Sequence, residues 1–137
     1  MVRRVGSGMR RALMSVGIGL ALVAGQPAVM AHHSFAMFDT AKPVTLAGVV
    51  TAFEWTNPHA YIELDVPDAA GGVAHWTIEL GSTSILMRAG WKFNTLKKGD
   101  KVTALLSPLR NGEKGGLLSR LTLSDGRVLP NGPGATQ

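Results

Sequence analysis

The sequence predicts an all-β chain, a small five-stranded antiparallel OB-like barrel with one short helix between strands three and four. Two observations carry that prediction. Residues 61–66 and 73–80 alternate apolar and polar side chains with period two, the signature of half-buried antiparallel strands. The pattern then breaks over 82–90 into a short capped helical stretch, after which two more strands and a terminal hairpin follow. A helix between strands three and four of a five-stranded barrel is the OB arrangement, and a sandwich needs more strands than the chain supplies.

The first 31 residues are set apart as a signal peptide. Arg3, Arg4, Arg10 and Arg11 form a basic start without acidic residues, and Ala12 to Gly25 is an apolar run of 14 residues. That is short of the roughly 20 needed to span a bilayer. Gln26-Pro27 ends the run, and Val29 and Ala31 put small residues at −3 and −1 of a cleavage site before His32. The Arg10-Arg11 pair invites a twin-arginine reading, but Ala12-Leu13-Met14 fits that signal loosely, so the general secretory route is expected. The mature protein is therefore expected to be periplasmic or secreted. No later apolar run is long enough to cross a membrane as a helix.

Removing the signal changes the charge argument. The whole chain is +5, but four of its fourteen basic side chains leave with residues 1–31, so ten remain against nine acidic ones. A domain this close to neutral does not suggest nucleic-acid binding. There is no cysteine, which removes thiol catalysis, thiolate metal ligands and disulfide bracing.

Residues 32–43 read as an N-terminal arm, with Phe35 and Phe38 expected to dock it near Trp55. Val44 to Trp55 is the first strand, with Gly48 as its expected bulge, and Asn57-Pro58 is a turn. Strands two and three should bury Ile62, Leu64, Trp76, Ile78 and Leu80. Ser82 or Thr83 caps a helix ending at Gly90. Val102 to Leu106 is strand four, Pro108 to Gly116 a glycine-rich loop, and Leu117 to Leu123 strand five, with Leu117, Leu121 and Leu123 on one face. Asp125-Gly126 turns into Arg127-Val128-Leu129. The barrel domain is thus 44–129, and 130–137 is expected to be a flexible tail.

Two constellations carry chemistry. Cleavage after Ala31 would start the mature chain at His32, whose amine and imidazole form a chelate. With His33 and His59 this gives a nitrogen-rich set suited to Cu(II). The second is a possible ligand face: Tyr61, Glu63, His75, Thr77 and Glu79 point outward from strands two and three, with Trp55 and Asn57 beside the His59 turn. An OB barrel commonly binds ligands there, but this face carries acids where base-stacking proteins need cations and aromatics. No nucleophile elbow, phosphate loop or complete acid–base set is present. The expectation is a binding module for an unidentified small ligand or exported partner, with a copper-binding protein as the alternative and an enzyme behind both.

The strings Ala31-His32-His33-Ser34-Phe35, Phe38-Asp39, Glu54-Trp55-Thr56-Asn57-Pro58-His59, Glu79-Leu80-Gly81-Ser82, Gly90-Trp91 and Leu96-Lys97-Lys98-Gly99-Asp100 carry a resemblance. On them the chain resembles a bacterial family of small exported proteins of unknown function, from His32 to about Leu129. The resemblance implies fold and export, and no mechanism. N-terminal sequencing of protein from the periplasm should read His-His-Ser-Phe. A start at Met1, or beyond His33, refutes the cleavage site and the chelate with it.

Overall fold

The computed structural model describes residues 35–133. Its order is a 3-10 turn (Phe35–Met37), β1 (Val44–Glu54), β2 (Tyr61–Pro67), β3 (Val73–Glu79), α1 (Thr83–Arg88), β4 (Lys101–Pro108), β5 (Gly115–Leu123) and β6 (Val128–Pro130). The sheet runs β3-β2-β1-β4-β5-β6, and a parallel β3–β5 pairing closes β1 to β5 into a barrel. The expected fold is the observed one, down to the helix between β3 and β4. Among the described residues no helix is long and apolar enough to cross a membrane.

One long strand serves both halves of the barrel. β1 pairs with β4 from Val44 to Val49 and with β2 from Val49 to Glu54. The register slips between Val50 and Ala52, so the bulge is at Thr51, not at Gly48 as expected. Gly48 has a different task. A Cβ there would lie 2.5 Å from the Asp65 carbonyl oxygen and 2.9 Å from Leu64 Cγ. Glycine is needed because the backbones approach too closely for a side chain.

The core holds Val50, Ile62, Leu64, Ile78, Leu80, Leu86, Trp91, Val102, Leu106, Leu118 and Leu121 among its buried residues. Of the expected core residues Ile62, Leu64, Trp76, Ile78, Leu80, Val102, Leu121 and Leu123, six are buried, while Trp76 and Leu123 are half-buried and pack against the cluster from its rim. Strand five also corrects the expected Leu117, Leu121, Leu123 face. Leu105 pairs with Arg120 and Leu106 with Leu118, so Ser119 is an extra residue on β5. That insertion resets the alternation and puts Leu118, not Leu117, inside with Leu121.

The expected loop 108–116 ends as strand. Thr77, Ile78 and Glu79 pair with Gly115, Gly116 and Leu117 to form the closing seam. A Cβ on Gly116 would meet Leu106 Cδ1 at 2.5 Å and the Ser107 carbonyl oxygen at 2.6 Å, so this glycine also serves close approach.

Both ends of the described chain are tied down. Phe38 is buried and bridges to Leu109, and the Asp39 amide donates to the Pro108 carbonyl at 2.8 Å. Arg110 donates from its amide to the Met37 carbonyl and from Nε to the Ala36 carbonyl. Phe35 stays exposed, so one phenylalanine docks the arm, and it does so beside Leu109; Trp55 packs edge-on to Phe53 instead. At the other end, Trp91 Nε1 donates to the Pro130 carbonyl at 2.8 Å. Asn131 Nδ2 donates to the Leu118 carbonyl, and Asn131 Oδ1 accepts from the Gly81 amide.

Gly48→Val should destabilise the fold by about 1–3 kcal/mol, the usual cost of forcing methyl groups into packed space. Urea unfolding measures it. A midpoint equal to that of the unmodified protein would show that β1 and β2 have room to separate there.

Candidate functional site

Antiparallel register builds the site. Tyr61 stands opposite Glu79, Glu63 opposite Thr77, and Asp65 opposite His75. The alternate residues Ile62, Leu64 and Ile78 are buried, so the first six share the outer face. The five strand residues singled out in the sequence thus share one surface, and Asp65 lies on it with them.

His59 sits just before β2 and joins this face through Glu79. Its Nδ1 lies 2.7 Å from Glu79 Oε1, with both side chains largely covered. The turn that carries His59 is clamped, since Thr56 Oγ1 donates to the His59 carbonyl at 2.9 Å. The Asn57–Pro58 peptide bond within it is cis.

Asn57 turns toward α1. Its Oδ1 accepts from the Thr83 amide at 3.3 Å and from Thr83 Oγ1 at 3.1 Å. The N-cap residue Ser82 makes no side-chain cap bond and has its hydroxyl 3.1 Å from Ser84 Oγ. The helix expected to be capped by Ser82 or Thr83 is thus supported by Asn57, 26 residues upstream of Thr83. Trp55 is half-buried against Phe53, which in turn packs on Trp91.

His75 is held differently. Nδ1 lies 2.7 Å from Asp65 Oδ1 and Nε2 lies 2.9 Å from Glu63 Oε2. Thr77 Oγ1 donates to the same Glu63 oxygen at 2.9 Å. The Asp65 contact, helped by the Glu63 charge, raises the His75 pKa above its ordinary value, although slight burial works against it. The Tyr61 pKa is also raised, first by burial and then by the charges of Glu79 and Glu54.

Tyr61, Thr77 and Glu79 form one wall of a groove of about 220 Å³. Met37 and Phe38 of the arm, Leu109, the Glu113–Lys114 loop and the Gly115–Gly116 seam complete it. Lys114 Nζ also lies 5.4 Å from the centroid of the Trp76 ring. A larger hollow of about 360 Å³ opens on β1, β4 and β5, but Lys101 is the sole ionisable side chain lining it. The chemistry is concentrated at the smaller groove.

The proposed copper set is divided. His59 is placed, whereas His32 and His33 lie outside the described residues. Among the described residues no three of His, Cys, Asp and Glu are grouped to hold a metal ion. The arm and the seam were not singled out in the sequence as groove walls. Phe38 and Gly115-Gly116 were the signals, an apolar residue in an arm and a glycine pair before a strand.

The match to a family model decides relationship at this point. The chain belongs to DUF6152, a family of unknown function, whose model matches residues 20–120. The expected membership in a family of unknown function therefore holds at that level. No curated protein matches the chain. DUF6152 supplies no activity, so function rests on the geometry of the face.

Tyr61 is the chain's single tyrosine, so phenol absorbance during an alkaline titration reports this position alone. Its midpoint should lie above the ordinary value of about 10. Glu79→Gln removes a negative charge that disfavours the phenolate, so the midpoint should fall. It should fall only in part, because burial is the larger cause.

Proposed function

We infer that the chain is an exported binding module that takes a small ligand in the groove at the end of the outer β2–β3 face. The groove itself carries this reading. Apolar Met37, Phe38 and Leu109 face a phenol, a hydroxyl, carboxylates and one ammonium across a space of about 220 Å³. Apolar walls with a few convergent polar groups are the ordinary composition of a small-ligand site. The acids of the face, Glu54, Glu63, Asp65 and Glu79, favour a ligand with a cationic or hydrogen-bond-donating head. Export is supported by the basic, apolar and small-residue pattern of residues 1–31.

Ligand-observed NMR with a library of small amines and neutral aromatics tests this reading. Thr77→Trp fills the groove from an exposed strand position. Binders whose saturation transfer disappears in that variant, with its unfolding midpoint retained, are the expected result. A library in which no binder is lost on the substitution overturns it.

A second reading is a Cu(II) site built from His32, His33 and His59, and a specific observation favours it. The Glu79 carboxylate lies 2.7 Å from His59 Nδ1, and a carboxylate beside the second ring nitrogen commonly accompanies metal-bound imidazoles. Met37 of the arm lines the same groove as Glu79, and His33 is four residues upstream, a reach of up to about 14 Å. Copper titration of correctly cleaved protein followed by electron paramagnetic resonance should give a nitrogen-rich signal. That signal should be altered both in His59→Ala and in protein with one extra N-terminal residue. Equal binding by all three forms would make the copper adventitious.

A further inference from the structure

His75 is engaged at both ring nitrogens, and this has a chemical consequence. A neutral imidazole has one N–H and one lone pair, so only the imidazolium can donate at both ends. The contacts at 2.7 Å to Asp65 and 2.9 Å to Glu63, both carboxylates, are those that suit the protonated ring. The row continues from Glu63 Oε2 to the Thr77 hydroxyl, which lines the groove. Thr77 is also joined to the opposite wall, because its amide donates to the Lys114 carbonyl at 3.1 Å and it pairs with Gly115. Asp65, His75, Glu63 and Thr77 thus form a connected line from the middle of the β2–β3 face to the groove.

We propose that this line is a proton-operated latch, in which protonated His75 holds Glu63, and through it Thr77 of the groove wall, and loss of the proton releases them. On deprotonation the remaining N–H stays with Asp65, the nearer carboxylate. Nε2 then presents a lone pair to Glu63 Oε2 across 2.9 Å, and two electron-rich atoms at that distance repel. Glu63 must turn, and Thr77 loses or changes its acceptor.

The charges around the ring fix the sign. Glu63 and Asp65 on β2 both favour the imidazolium, and Thr77 on β3 is neutral. Glu113 and Lys114, of opposite charge, stand on the loop before β5, with the Lys114 ammonium drawn to the Trp76 ring. On β1, Val49 opposite Asp65 is uncharged, and Lys101 of β4 lies one strand further away. The latch is therefore engaged at lower pH and opens as pH rises through a value above that of ordinary histidine. Its consequence for affinity rests on the binding-module reading, but the latch itself is observable without any ligand.

The test is an NMR titration of the full protein from about pH 5 to about pH 9, following the His75 ring and the amides of Lys114 and Gly115. The ring midpoint should lie above about 6.5, and both amides should shift with that same midpoint. Glu63→Gln should lower the ring midpoint. His75→Gln should abolish the amide transition. Thr77→Val should keep the ring transition and remove the one at Gly115. A ring midpoint at or below the ordinary value, silent amides, an amide transition that survives His75→Gln, or a Gly115 transition that survives Thr77→Val would each overturn the latch. A groove that binds nothing would leave all of these results unchanged, so the two failures are separable.

Discussion

The bend in β1 is the constraint on which the rest of the molecule depends. One strand of 11 residues must leave β4 and join β2 without a break. Two local departures from regular strand make this possible. At Gly48 the missing Cβ lets the β2 backbone close in, and at Thr51 an extra residue turns the strand. With β1 shared between the two halves, β3 and β5 are brought edge to edge. Their short parallel seam, three residues from each strand, then pairs part of the edges a flat sheet would expose. Gly116 pairs with Ile78 across the seam and, lacking a side chain, also lets β4 approach at Leu106 and Ser107, so this groove-lining residue is fixed from both neighbouring strands.

The two described histidines show how far environment, and not residue type, decides chemistry. His59 has one carboxylate close to Nδ1, and both side chains are largely covered. His75 lies between two carboxylates on a surface, an arrangement that stabilises a cation. Both draw their partners from the same antiparallel register, since Glu79 and Tyr61, and His75 and Asp65, are cross-strand pairs. A slip of one residue in that pairing would turn the acids inward and dismantle both arrangements. Burial of Ile62, Leu64 and Ile78 fixes the register, so the core specifies the electrostatics of the face.

What could be read from the sequence follows the same logic. β2 and β3 were legible because their alternation is uninterrupted, and so was the composition of the outer face. The helix was legible from a change of period and a terminal glycine. Bulges were not: Thr51 and Ser119 are ordinary residues, and a single inserted position has no composition of its own. Gly48 did signal an irregularity, but glycine marks bulges and close approaches alike. The β3–β5 seam joins residues nearly forty positions apart, and two adjacent glycines read equally well as a loop. Phe35 and Phe38 were equivalent in sequence, and only the bridge to Leu109 separates the exposed one from the buried one. The candidate site was legible as a face and illegible as a groove, because its other walls come from the arm and the seam.

The groove lies where the least local parts of the fold converge, and there is a physical reason for that. A barrel strand buries one face and solvates the other, so an isolated β2–β3 pair offers only a convex polar surface. Concavity requires a second element to stand beside it. Here the arm supplies that element, held by Phe38, by Arg110 and by the Asp39 amide. With no cysteine in the chain, these contacts and the Asn131 and Trp91 bonds at the other end fix the flanking segments without covalent bracing. Such bonds, worth roughly 0.5–1.5 kcal/mol each, are weaker than the barrel core. The groove wall is therefore the part of the site able to open while the β2–β3 face keeps its register.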